Sequence, residues 1–257
     1  MQLKLSLGEQ FAHSRWARVL PVVLFVCLWQ VLAVMLESKT LPPPSAVILI
    51  LWQELSTGEL LFHLGMTLRR VAFSFTAAMF IGVSLGIFMG RSKSGDRLLD
   101  TFLILALNIP ALVTTILCYI WFGLSETAAV IAVTINKIPM VAISVREGAR
   151  AVDKDLLQVA TLYRLSRRDT FFKVYLPQLT PYLLGAARNG LALIWKIVLV
   201  VELLGRSNGV GFQIGSFFHF FDITSILAYT FAFALVIFSI EALLLRPLET
   251  HLNRWRA

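Results

Sequence analysis

Residues 147–181 read EGARAVDKDLLQVATLYRLSRRDTFFKVYLPQLTP. Nearly everything on either side is apolar enough for a membrane; this long segment is too charged for one. It is also too apolar for a free linker, because Leu156, Leu157, Val159, Ala160, Leu162 and Tyr163 need a surface to pack against. Asp153 is placed to cap a helix, and Leu156, Val159, Ala160 and Tyr163 fall at helical spacing, which predicts a short amphipathic helix. Ser166 followed by Asp169 has capping-box spacing and predicts a second helix carrying Phe171, Phe172, Val174 and Tyr175. Pro177 and Pro181 are expected to stop that helix and lead into the next apolar run. Two short helices with an apolar face fit a docking plug for a soluble partner. They equally fit a loop lying on the membrane surface.

Working outward, six apolar runs are long enough to cross about 30 Å of hydrocarbon. They lie near 16–36, 66–90, 98–121, 127–146, 181–204 and 224–246, with the polar loop at 147–180. The 257 residues are 58% hydrophobic and 15% charged, well below the ~25% charge of a soluble domain. A single all-α membrane domain over residues 1–257 follows. The first run is too long for a cleaved signal and lacks a small-residue cleavage site, so it is read as a retained span. The net charge of +8 is not a nucleic-acid signal, because the cations sort by side of the membrane. With the N-terminus inside, sixteen of the Lys and Arg residues fall in cytoplasmic segments: Lys4, Arg15 and Arg18 at the inner end of the first span, Arg91, Lys93 and Arg97 after the second, seven between Arg146 and Lys173, and Arg246, Arg254 and Arg256 at the end. The outer loops hold Lys39 and Arg206. This asymmetry puts both termini and the 147–180 loop in the cytoplasm.

Several intramembrane features ask for partners. Pro44 to Leu55 has the pattern of an amphipathic helix on the outer face. Arg69 and Arg70 sit at the outer mouth of the second span, either lining an anion entrance or snorkelling to lipid phosphate. Ala78, Gly82, Gly86 and Gly90 form a small-residue ridge, which packs either inside the subunit or across a dimer face. Asn108-Ile109-Pro110 and Asn136-Lys137-Ile138-Pro139 interrupt the third and fourth spans. Each proline frees a carbonyl that needs protein or water, so both places are expected either to line a cavity or to kink for packing. The fifth span carries Arg188, Asn189, Lys196 and Glu202. A mid-membrane lysine such as Lys137 or Lys196 costs about 2.5–3.5 kcal/mol. The offset is either a carboxylate on another helix or a wet pathway that passes an anion. Lys196 and Glu202 are six residues apart, so they do not share a helical face. Asn108, Asn136, Lys137, Lys196 and Glu202 are therefore the pathway candidates. Asn208-Gly209 and Gly211 predict a turn before an aromatic, interfacial stretch from Phe212 to Phe221.

The loop resembles the coupling loop of ABC importer permeases, whose pattern runs Glu-Ala-Ala, three residues, Gly, about nine residues, then an aliphatic residue shortly before Pro. Here Gln158-Val159-Ala160 stand at the first three positions, Arg164 where Gly is usual, and Leu176-Pro177 at the end. LPPPSAVI at 41–48, RLLDTFL at 97–103 and VELLGRSNGVGF at 201–212 resemble the nitrate, taurine and sulfonate branch. The resemblance spans roughly residues 40–250. It implies a type I (MetI-like) permease fold with six transmembrane helices, both termini inside and a cytoplasmic coupling helix. Gln158, Val159, Ala160, Leu162, Tyr163, Arg164, Leu176 and Pro177 would form the ATPase-coupling surface. It also implies the partners: an ABC ATPase subunit that carries the ATP and Mg, a periplasmic or lipid-anchored substrate-binding protein, a second permease copy as a homodimer, and the lipid of a bacterial inner membrane. Arg164 in place of Gly means that the turn is made differently or that Arg164 itself takes a strained conformation.

Absences narrow the function. No G-x-x-x-x-G-K-[ST] loop is present, and GRSKSGDR at 90–97 lacks its spacing. The His residues show no ligand spacing, Cys27 and Cys118 are read as packing residues, and no hydrolase motif is visible. The expectation is a non-enzymatic membrane subunit, with no cofactor or metal of its own, that imports a small organic or inorganic anion such as a sulfonate, taurine or nitrate. The alternative is a secondary transporter driven by an ion gradient, with Lys137, Lys196 and Glu202 as its charge relay; it leaves the 147–180 loop without a role.

Overall fold

The computed structural model describes residues 16–36, 40–245 and 247 of the chain. Lys4, Arg15, Lys39, Arg246, Arg254 and Arg256 from the charge count lie outside the described residues, as does the side chain of Arg18. The described residues are helical with no strand among them. Helix α1 is Trp16–Leu36, α2 Pro44–Thr57, α3 Glu59–Arg91, α4 Lys93–Asn108, α5 Ala111–Phe122 and α6 Glu126–Arg150. Next come α7, Lys154–Leu162, and the long α8, Arg167–Gly205. Helix α9 is Val210–His219, and α10 is Ile223–Ile240, continued by a π-helical turn at Glu241–Leu245. Among the described residues, five helices are long and apolar enough to cross a membrane, and six spans result if the bent pair α4–α5 is one.

Three expected boundaries differ. The second span starts at Glu59, seven residues before the expected 66. The third is not one straight helix: α4 and α5 meet at 98° around Ile109-Pro110. Ile109 is extended (φ −76°, ψ 123°), as a residue before proline prefers. Asn108 turns its side-chain amide back to the Ile104 carbonyl at 2.7 Å, so one carbonyl near the break keeps a partner. Pro139, by contrast, is buried within an unbroken α6.

The third difference is at Pro177 and Pro181, which do not stop the helix entering from the loop. Residues Thr170–Tyr175 are π-helical, and the Leu176 amide donates to the Phe171 carbonyl, so Pro177 enters a new α-helical register near its start, where a missing N–H costs little. Gln178 and Thr180 donate side-chain hydrogen bonds to the Val174 and Leu176 carbonyls, both at 2.9 Å. The result is a rod of 39 residues, about 58 Å long, that runs from the polar loop through the bilayer without a joint.

Helix α6 is the centre of the bundle, packed on α3 and α8. The small-residue ridge of α3 is turned inside the subunit. A Cβ on Gly82 would meet Val141, and one on Gly86 or Gly90 would meet the α6 backbone between Ala142 and Ala149. Backbone contact this close replaces the hydrophobic drive that lipid does not supply. One apolar core, with Val71, Val133, Ile194, Val198 and Tyr229, fills the end of the bundle where α8 finishes. A second, with Val141, Val145, Val152, Tyr175 and Leu179, fills the end where α8 begins. Helix α1 lies outside the bundle and touches α2, where Gln30 and Ser45 exchange two hydrogen bonds; Cys27 is exposed there rather than packed.

Candidate functional site

The loop folds into an elbow, and its local geometry follows from its caps. The Asp153 carboxylate accepts from the Asp155 amide at 2.8 Å and starts α7. The Gln178 side chain, on α8, accepts from the Asp153 amide at 2.9 Å and ties the start of the elbow to the rod. At the far end of α7 the Leu165 amide donates to the Ala160 carbonyl (3.0 Å) and the Arg164 amide to Thr161 (2.9 Å). This is a Schellman ending, and it requires a left-handed residue at Arg164, whose φ is +53°. Of the two outcomes left open by the missing glycine, the strained arginine is the one adopted. Ser166 then accepts from the Asp169 amide at 3.0 Å and donates to its carboxylate at 2.6 Å, which starts α8.

The apolar residues of α7 divide into two sets. Ala160 (2% exposed) is buried, and Leu157 packs on the core that includes Val152 and Phe171. Leu156, Val159, Leu162 and Tyr163 face outward, with Leu162 80% and Tyr163 75% exposed. Gln158 is exposed beside them, and Leu176 and Pro177 are half-buried at the start of the rod.

The opposite end of α8 is closed by ions. Glu202 is fully buried, although it was expected to line the pathway. Its carboxylate accepts from Arg70 (2.6 Å), Thr67 (2.9 Å) and the Gly211 amide (2.8 Å). Arg70, 2% exposed, also makes a two-pronged pair with Glu126 at 2.6 and 2.8 Å, and donates to both oxygens of Asn208. Arg206 donates to the same Glu126 at 2.9 Å. His63 Nδ1 accepts from the Gly209 amide, so α3, α6, α8 and the turn before α9 share one polar knot. Gly209 has φ +110° and faces the Glu202 carboxylate, leaving no room there for a side chain. The snorkelling and entrance readings of Arg70 are thus replaced by an internal ion lock. Sequence reading missed the Arg70–Glu126–Glu202 set; its signal was two intramembrane charges of opposite sign with no partner on their own helices.

The remaining candidates separate. Asn108 is exposed at the α4–α5 bend and Asn136 is half-buried on α6. Lys137 is 3% exposed inside the bundle, with Nζ 3.3 Å from Met140 Sδ. Lys196 is different. It lies on an exposed face of α8 with Gly185, Arg188, Asn189 and Ala192, and lines a cleft of about 400 Å³ between α8 and α10. Arg188 reaches Glu241, the first residue of the π-helical turn after α10, at 3.4 Å in the same cleft. A polar, basic face on a membrane rod is poorly matched to hydrocarbon.

These features fit the comparison with known families. Residues 78–246 match the binding-protein-dependent transport system inner membrane component family. The chain belongs to that family. As a permease subunit it is not an enzyme, and the ATPase of such importers is a separate subunit. The putative aliphatic sulfonates transport permease protein SsuC of Bacillus subtilis (strain 168) is 30% identical over 240 residues, covering 93% of this chain and 86% of the relative. The taurine transport system permease protein TauC of Escherichia coli (strain K12) is 30% identical over 239 residues, covering 91% and 86%. The nitrate import permease protein NrtB of Synechocystis sp. is 30% identical over 202 residues, covering 75% and 73%. In fold, the chain is similar to a chain of the MetNI methionine ABC transporter in its inward-facing conformations. The TM-score is 0.57 at 18% identity, covering 71% of this chain and 92% of that one. The MetI-like permease fold inferred from the sequence is the observed one.

Proposed function

We propose that this chain is the pathway-forming subunit of an ATP-driven importer for a small anion of the sulfonate, taurine or nitrate type, working as a homodimer in a bacterial inner membrane. A periplasmic or lipid-anchored binding protein delivers the anion from outside. The 147–180 elbow docks into an ATPase subunit that holds ATP and Mg. The observation that carries this reading is the outward apolar set Leu156, Val159, Leu162 and Tyr163, mounted on an elbow that continues without a joint into α8. A force applied to α7 has no flexible linker in which to dissipate. It passes along the rod as a rigid-body movement and reorients the Arg188–Asn189–Lys196 face. Two copies that face each other across that surface give a basic, wettable lining, which satisfies the exposed Lys196 and favours an anion. The sulfonate, taurine and nitrate transport named for the relatives agrees with that charge.

The test is the double substitution L162D/Y163D. The variant is expected to insert and to keep its fold, while ATPase co-purification and solute-stimulated ATP hydrolysis are lost. Survival of both defeats the docking assignment. In parallel, Lys196→Ala is expected to lower anion uptake by about tenfold, a loss of ~1.4 kcal/mol of interaction with the passing ion, with assembly intact. Normal uptake by that variant removes Lys196 from the pathway.

A further inference from the structure

A second basic feature lies on the elbow side and is used by neither docking nor the pathway. A cleft of about 640 Å³ opens between the ends of α3 and α6 and the inner side of the elbow. Its size is that of small-molecule sites, about 300–1,000 Å³. Five cations and one carboxylate line it. The carboxylate, Asp96, is taken by Arg146 at 3.3 Å and by Arg150, which also pairs with Glu147. That leaves Arg91, Lys93, Lys154 and Arg167 around the cleft with no carboxylate partner among the described residues. The first residues of α4 and α7 are Lys93 and Lys154, so two helix N-termini add their positive ends to the same space.

The back wall of the cleft is aromatic. Tyr175 is 5% exposed, stacks on Phe171 (5.7 Å between ring centres) and carries the Arg91 guanidinium 5.5 Å over its ring. It lines the cleft, and its buried hydroxyl has no hydrogen-bond partner among the described residues. The group that answers four cations around one cleft is an oxyanion with several oxygens.

We propose that this cleft is a binding site for a phosphate-type oxyanion, carried either by an inner-leaflet phospholipid headgroup or by a soluble phosphate. Its height suits both sources, since α3 ends there at Arg91 and α6 at Arg150, where a bundle leaves the bilayer. An occupant bridges Arg91 of α3, Lys154 of α7 and Arg167 of α8. It therefore clamps the elbow to the bundle and stiffens the link through which α7 would move α8. The site is defined on the isolated chain, so its test is independent of ATPase docking.

The experiment is thermal unfolding of the purified full-length chain in neutral detergent. Dioctanoylphosphatidylglycerol is compared with dioctanoylphosphatidylcholine, and inorganic phosphate with chloride at matched ionic strength. A rise in Tm with phosphatidylglycerol or with phosphate is expected, saturating with concentration. A response to the lipid alone identifies a headgroup; a response to phosphate as well identifies the free oxyanion as sufficient. In R91Q/K154Q/R167Q the half-saturating concentration is expected to rise at least about tenfold. R97Q/R168Q, which removes exposed cations outside the cleft, is expected to behave as the unaltered chain. No rise with either probe, an unchanged response in the cleft variant, or an equal loss in R97Q/R168Q overturns the proposal.

Discussion

The two ends of α8 follow opposite rules. At the end near Glu202, the buried charges are paired: one carboxylate with three donors, one guanidinium with two acids and a backbone turn, and glycines where side chains would collide. At the elbow, large apolar side chains stand out, an arginine is held with positive φ, and the ion pair Lys173–Asp169 is mostly exposed. The first end is a tertiary structure complete in one chain. The second is a shape that makes sense against something else. One rod joining a finished end to an unfinished one is what a lever requires, with its firm point at the ion lock.

The comparison breaks first at Glu202. Glu202→Ala leaves Arg70 buried with half its acids gone and should destabilise the chain by about 3–5 kcal/mol, read as Tm in detergent. A small loss there would mean that the lock is ornamental. Gly211→Ala comes next. Its Cβ would press on the Leu199 carbonyl and stand 2.8 Å from Glu202 Cβ, so α9 must lift off α8. A cost of about 1–3 kcal/mol is expected. Arg164→Gly should go the other way. A left-handed non-glycine residue costs about 1–2 kcal/mol, and glycine removes much of that at some cost in unfolded-chain entropy. The expected result is a gain of up to about 1 kcal/mol, seen as slower proteolysis at the elbow. The smallest change in stability is expected for L162D/Y163D, within about 0.5 kcal/mol, although the proposed docking predicts a complete loss of coupling. A large Tm drop in that variant would place Leu162 and Tyr163 in the core and remove the contrast between the two ends.

Much of this was legible residue by residue. The capping positions at Asp153 and Ser166, the helical spacing of α7 and the interruption at Pro110 are local facts, decided within a turn of chain. The departure at Arg164 narrowed the turn to two outcomes, a different turn or a strained arginine, because only glycine tolerates that turn freely. The readings that failed concerned distance or direction. Pro177 and Pro181 looked like a stop, but a π-helical turn absorbs the change of register. Arg70 looked like a mouth or a snorkel, because its partners stand 56 and 132 residues away.

By itself, the sequence determined the membrane class, the apolar runs, the side on which the polar loop is expected and the family. Each of these depends on the solvent a segment can tolerate or on short-range spacing. Only the tertiary structure decided that Arg70, Glu126 and Glu202 form one lock, that the glycine ridge faces α6, and that Lys137 is enclosed while Lys196 lies on an open face. It also chose which apolar residues of α7 turn outward. Helical periodicity defines faces but not what each face meets, and that is settled when distant helices pack and a buried charge must find its opposite.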